Sequence, residues 1–136
     1  MVNEKYMRFG EYIRKKRLND PREITQSDMS KQLGISLTYL SDIELGRKKP
    51  FDTEAIEKFC AYLNLSEDEK AHIFDLAAKE KKSVPADIED VFMHEEIGTM
   101  ARFALRQSNA GNATEEDWKK FIREIEEKKK GGSPGG

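Results

Sequence analysis

Apolar residues recur three and four positions apart along most of this chain, and no stretch alternates convincingly with a period of two. Spacing of i, i+3, i+4 and i+7 puts side chains on one face of an α-helix, whereas a half-buried strand needs alternation. The pattern therefore predicts an all-α protein. At 136 residues the chain has room for one small domain, or one compact domain plus an extension. Its charged fraction of 37% exceeds the roughly 25% of ordinary domains, so most helical faces must be solvated. No run approaches the roughly 18 apolar residues of a membrane span, and Met1 to Phe9 lacks the apolar stretch of a secretory signal. A single cysteine, Cys60, excludes an internal disulfide framework and a cysteine-rich zinc site. A cytoplasmic location with no membrane contact is expected.

The punctuation residues place the helices. A first helix is predicted from Met7 to Leu18, with Phe9, Ile13 and Leu18 inward and Arg14, Lys15 and Lys16 outward. Pro21 ends it, since proline cannot continue the hydrogen-bond ladder. Thr25 caps a short helix over Gln26 to Gln32, and Gly34 can take the left-handed conformation that closes it. Ser36 caps a third helix, Leu37 to Leu45, stopped by Gly46. A fourth follows Asp52 and Thr53 and carries Ile56, Phe59, Cys60 and Leu63 on one stripe. Ser66 to Glu69 has the form of a capping box and opens a fifth helix, which fades into Lys79 to Lys82. The break at Ser83-Val84-Pro85 divides a domain over residues 1–82 from a helical extension over 83–130. Residues 131–136 hold four of the nine glycines and read as a disordered tail.

Charge is segregated along the chain. The net charge of −2 argues at first against a nucleic-acid partner, because such domains are usually basic. Residues 1–50, however, hold 11 Lys and Arg against 7 Asp and Glu, and the remainder holds 13 against 19. A basic working surface and an acidic remainder fit that asymmetry.

Residues 25–46 form two short helical segments around Leu33-Gly34-Ile35, with inward apolar residues at 29, 33, 35, 40 and 43. Such a turn lets a second helix project into the roughly 12 Å wide major groove of DNA. Thr25-Gln26, Leu33-Gly34-Ile35-Ser36 and the run from Tyr39 to Pro50 closely resemble the Cro/phage-repressor-like (XRE-type) helix-turn-helix family. The resemblance reaches back to Phe9-Gly10-Glu11 and covers roughly residues 7–77. It implies a five-helix lambda-repressor-like DNA-binding domain that binds operator DNA as a dimer and regulates transcription.

The same resemblance assigns roles. Gln26 matches a glutamine that holds a phosphate, which the exposed N–H groups of a helix start would favour. Ser36 is placed on the DNA backbone, and Leu37, Thr38, Ser41 and Asp42 on base edges. Tyr39 matches an aromatic at a phosphate-contacting position, and Arg47, Lys48 and Lys49 can neutralise phosphates. Leu37 and Asp42 stand where many relatives carry Arg, Lys or Gln. They could touch a thymine methyl and accept from cytosine N4, but add nothing to phosphate affinity. Glu44 is read as the ion-pair partner of Arg17, fixing the first helix against the third.

Other features read as structure. Cys60 lies on an apolar stripe and is expected to be a buried small hydrophobe. His72 and His94 have no second ligand at helical spacing, so no metal site is expected, and no cofactor. No HExxH, phosphate-binding glycine loop, nucleophile elbow or Cys–His pair points to an enzyme. Lys79 to Lys82 and Lys128 to Lys130 read as solvated helix ends, with Glu126 to Lys130 frayed.

The extension divides the hypotheses. Phe92, Phe103, and Trp118 with Phe121 mark apolar stripes that must be covered by the fifth helix, a second copy or another protein. The first reading is a dimeric repressor. The second is an antitoxin-like or metallopeptidase-partnered regulator that binds a protein through residues 84–130 and controls its own promoter. The third is a protein-interaction module without DNA binding.

Overall fold

A computed structural model describes residues 4–131, the side chain of Lys5 excepted; the tail expected over 131–136 lies, beyond Gly131, outside the described residues. Eight α-helices follow in order among them: α1 (Phe9–Asn19), α2 (Gln26–Leu33), α3 (Leu37–Glu44), α4 (Thr53–Leu63), α5 (Glu67–Lys81), α6 (Glu89–Phe92), α7 (Ile97–Asn109) and α8 (Glu115–Lys130). The all-α expectation holds throughout the described residues. The chain divides into two compact units at Glu89/Asp90, within the one-turn helix α6.

Side-chain caps start most of the first unit's helices. Thr25 accepts from the Asp28 N–H at 3.0 Å, Ser36 from the Tyr39 N–H at 3.0 Å, and Asp52 from the Ala55 N–H at 2.9 Å. Ser66 and Glu69 complete a reciprocal box, each side chain accepting from the other's backbone N–H. In the core, α1 packs on α3 and α5, α2 on α3 and α4, and α4 on α5. Phe9, Phe51 and Phe59 line up through its centre, with the Phe9 and Phe51 rings 5.2 Å apart edge to face. Cys60 is buried, and that burial pushes its thiol up to about 11.

One contact sets how closely α1 approaches α3. A Cβ on Gly10 would stand 2.1 Å from the carbonyl oxygen of Ile43, so only glycine permits this crossing.

Several sequence expectations change. Leu18, expected inward, is 53% exposed, because Arg17 takes the buried position beside it. Lys16, expected outward, is largely covered, reaching the Glu69 carboxylate at 2.7 Å and lying 5.1 Å from the Tyr12 ring centre. Glu80, read as part of a solvated end, accepts from Arg8 at 2.7 Å and 3.0 Å. The tip after α1 is irregular. Arg22 donates to Asp20 and to the Tyr62 carbonyl, and Glu23 has φ 56°.

In the second unit, Thr114 and Asp117 form a capping box at the start of α8, and Trp118 donates to Ser108. The end of α8 is helical through Lys130 rather than frayed from Glu126. Acids in its first turn and lysines in its last both suit the helix dipole, and Glu124 and Glu126 lie four residues before Lys128 and Lys130. α7 and α8 are not packed along their length. Their large apolar side chains, including Ile97, Met100, Phe103, Phe121 and Ile122, are exposed.

Candidate nucleic-acid interface

The turn between α2 and α3 depends on Gly34, which adopts φ 70° and ψ 32° and caps α2 in the left-handed region. The Ile35 N–H returns to the Ser30 carbonyl at 3.0 Å, and Ile35 rests against the core. Leu40 and Ile43 then anchor α3 from beneath, both fully buried. That burial determines what α3 can present: Leu37 is 49% exposed, Thr38 is exposed, and Ser41 and Asp42 are half-buried on the outer side. Arg47, Lys48 and Lys49 follow on exposed backbone just past the helix.

The Ser36 hydroxyl oxygen accepts from the Tyr39 N–H as the N-cap. Its own proton stays available to a further acceptor, which suits a phosphate oxygen. Tyr39 is half-buried beside a cleft of about 460 Å³ that also touches Pro50, Phe51, Lys58 and Lys81. The Asp42 carboxylate lies 3.8 Å from the Arg47 guanidinium. The acid expected to read a base and the cation expected to hold a phosphate are therefore neighbours on one surface, and each screens the other.

Behind this surface is a buried polar cluster. Arg17 grips Glu44 with two parallel bonds, Nε to Oε2 at 2.9 Å and the terminal nitrogen to Oε1 at 2.8 Å. The two side chains are only 6% and 1% exposed. The other Arg17 nitrogen donates to the Ile24 carbonyl at 2.9 Å, and Gln26 Nε2 donates to Glu44 Oε1 at 2.9 Å. One carboxylate thus ties together α1, the start of α2 and the end of α3. Among the described residues no buried side-chain nitrogen or oxygen lacks a partner, as the cost of desolvating an unpaired charge demands.

Gln26 therefore does something the sequence did not suggest: its amide nitrogen braces Glu44. Beside it, the Asp28 carboxyl is held below the usual range by the Thr25 backbone N–H it accepts from. The N-terminal end of α2 thus already carries a carboxylate. Of the residues singled out from sequence, Ser36 to Asp42 and Arg47 to Lys49 share α3 and the turn after it, while Gln26 sits at the cluster behind.

Two cations near the end of α3 were not singled out. Arg14 on α1 borders a shallow groove with Leu18, Glu44 and Leu45. Arg8 lies against Gly46, where an added Cβ would be 3.5 Å from its guanidinium. Arg14 comes from α1 and Arg8 from the residue just before it, both distant in sequence from α3, and the α1–α3 crossing brings them there. Among the described residues no group of three His, Cys, Asp or Glu is placed to hold a metal, and no helix is long and apolar enough to cross a membrane.

Residues 13–70 match the model of a family described as helix-turn-helix. Over 58 residues the chain is 40% identical to the "ImmF control region 10 kDa protein" of Bacillus phage phi105, a match covering 43% of this chain. The chain spans 61% of the length of that curated relative. No solved structure is matched.

Proposed function

We propose, from the match of residues 13–70 to a helix-turn-helix family and their resemblance to Cro- and phage-repressor-like domains, that the protein is a sequence-specific double-stranded DNA-binding transcriptional regulator. It reads the major groove with α3 and acts as a dimeric repressor by occluding a promoter. The observation that carries this reading is the division of α3. Leu40 and Ile43 are fully buried, while Leu37, Thr38, Ser41 and Asp42 line the opposite side of the same two turns.

Chemistry assigns each group a task. Leu37 offers a methyl-sized apolar contact to thymine, and Asp42 can accept from cytosine N4. The Ser36 hydroxyl and the cations Arg47, Lys48 and Lys49 suit phosphate oxygens, with Tyr39 beside them. Few cations are involved, and one of them is close to a carboxylate. Affinity per copy is accordingly modest, and two copies on a two-fold-symmetric operator supply the rest. The name of the phage relative, a control-region protein, favours the same reading. No residue is assigned a catalytic task.

Electrophoretic mobility shifts on DNA from upstream of the gene test it. Binding to an inverted repeat is expected, and its salt dependence should flatten by somewhat under about one log unit per log unit of salt for each of Lys48→Ala and Lys49→Ala. Leu37→Ala should change the preferred operator and leave the salt slope alone. Absence of binding at low salt to every inverted repeat there overturns the reading.

A further inference from the structure

We infer that Arg14 on α1 is a further phosphate-holding residue, gripping the DNA backbone on the side of α3 that Arg47, Lys48 and Lys49 leave unserved. This deepens the proposed function and rests on its placement of α3 in the major groove. A helix in that groove has a sugar–phosphate backbone on either side, so phosphates are held on both flanks.

The outward face of α3 continues past its last turn. At about 100° per residue, Thr38, Asp42 and Leu45 fall within about 60° of one another, opposite the buried Leu40. Leu45 stays in the right-handed region, its N–H reaches the Ser41 carbonyl at 3.0 Å, and its side chain is exposed. Tyr39 lies to one side of this face, toward Pro50 and Phe51. Glu44 lies to the other, toward Arg17 and Gln26. Arg47 is beside Asp42, the outward residue nearest Tyr39 in angle, and Lys48 and Lys49 lead from it to Pro50. The three assigned cations thus follow the Tyr39 flank.

The Glu44 flank is short of free positive charge. Gln26 turns its amide to Glu44, and the start of α2 carries the Asp28 carboxylate. Of the four basic residues on α1, Lys15 reaches Glu4 at 3.2 Å, Lys16 reaches Glu69 at 2.7 Å, and Arg17 grips Glu44. Arg14 is exposed and, among the described residues, has no ion-pair partner. With Leu18 and Leu45 it borders an open groove of about 520 Å³, which carries the outward face of α3 onto α1. Glu11, on the same groove, accepts from the Arg8 N–H at 3.4 Å. A free guanidinium suits this place, because its planar fork matches two oxygens of one phosphate.

Phosphate-ethylation interference and salt-titrated mobility shifts, on an inverted repeat that the wild type binds, test the contact. Ethylation should block wild-type binding on both flanks of each half-site. Arg14→Ala should lose the blocks on one flank and keep those on the other. Its salt slope should fall by about 0.9 for each bound copy, so that between 50 and 200 mM salt it loses about 3.5-fold less affinity per copy than the wild type. Arg14→Lys should restore most of the slope. Lys15→Ala removes the same charge one residue away and should leave slope and interference unchanged, which separates a contact from a change in net charge. An Arg14→Ala variant with the wild-type slope and pattern overturns the inference, as does an equal flattening by Lys15→Ala, and either result leaves the regulator standing. A wild type that shifts no DNA overturns both together.

Discussion

The two units use the same helical vocabulary to opposite ends. Every buried hydrophobic side chain among the described residues lies between Phe9 and Ala78. Among the described residues of the second unit Gly98 alone is buried, and most large apolar side chains of α7 and α8 stand in the open. Yet α8 is as well capped as α2 or α5, with Thr114 and Asp117 in a reciprocal box. Capping and charge order shape a helix locally, whereas burial holds helices to one another. The first unit has both. The second has the local part, and the large apolar side chains on α7 and α8 are exposed.

The contrast can be broken most forcefully from inside the first unit. Arg17→Met or Glu44→Met alone should cost about 3–5 kcal/mol, since each strands a buried charge. The double replacement should recover most of that loss, and urea unfolding of the three variants measures it. If either single change leaves the midpoint unmoved, the cluster does not hold α1, α2 and α3 together. Next in size, Gly10→Ala forces a Cβ into the Ile43 carbonyl, and a loss of about 1–3 kcal/mol is expected. Because that contact aligns α3, DNA affinity should fall with it.

A cap change sharpens the comparison. Ser66→Ala should lower the midpoint of the first unit by about 1 kcal/mol, while Thr114→Ala should lower helicity in the second unit and leave that midpoint alone. Amide exchange on the same variants locates the effect, with slow exchange across α1 to α5 and faster exchange in α7 and α8. Equal protection in both units would erase the distinction.

The smallest effect is on pH. The Glu69 carboxyl is held at about 2, chiefly by the Lys16 ammonium and then by the Ser66 backbone N–H. In the unfolded chain it returns to about 4.3. A depressed folded value stabilises above the unfolded one, and the benefit is lost as pH falls from about 5 toward 2. Solvent screening limits it to under about 1 kcal/mol. Melting temperatures of the wild type and Glu69→Gln should differ at pH 6 and converge near pH 2.

Much of this fold was legible because it is written in local chemistry. Thr25, Ser36, Asp52, Ser66 and Thr114 announce helix starts through side chains that satisfy N–H groups two or three residues on. Gly34 and the spacing of Met29, Leu33, Leu40 and Ile43 marked the helix-turn-helix. What escaped depends on partners far apart in sequence. The covered position of Lys16 needs Glu69, 53 residues away, and the place of Glu80 needs Arg8, 72 residues away. Leu18 looked inward by spacing, but the carboxylate of Glu44 gives Arg17 the inner position. In the candidate interface, the residue types on α3 could be read directly. The hydrogen bond from Gln26 to Glu44 and the approach of Arg8 to Gly46 could not, since neither has a local signature.

The anchoring of α3 through Glu44 also bears on how such a protein can change over generations. The side chains proposed to read DNA, Leu37, Thr38 and Ser41, appear in none of the hydrogen bonds that tie α3 to α1 and α2. Under the proposed function, exchanging them alters what is read without loosening what holds the reader. A lineage can therefore drift to new operators a residue at a time, with the scaffold carried forward intact.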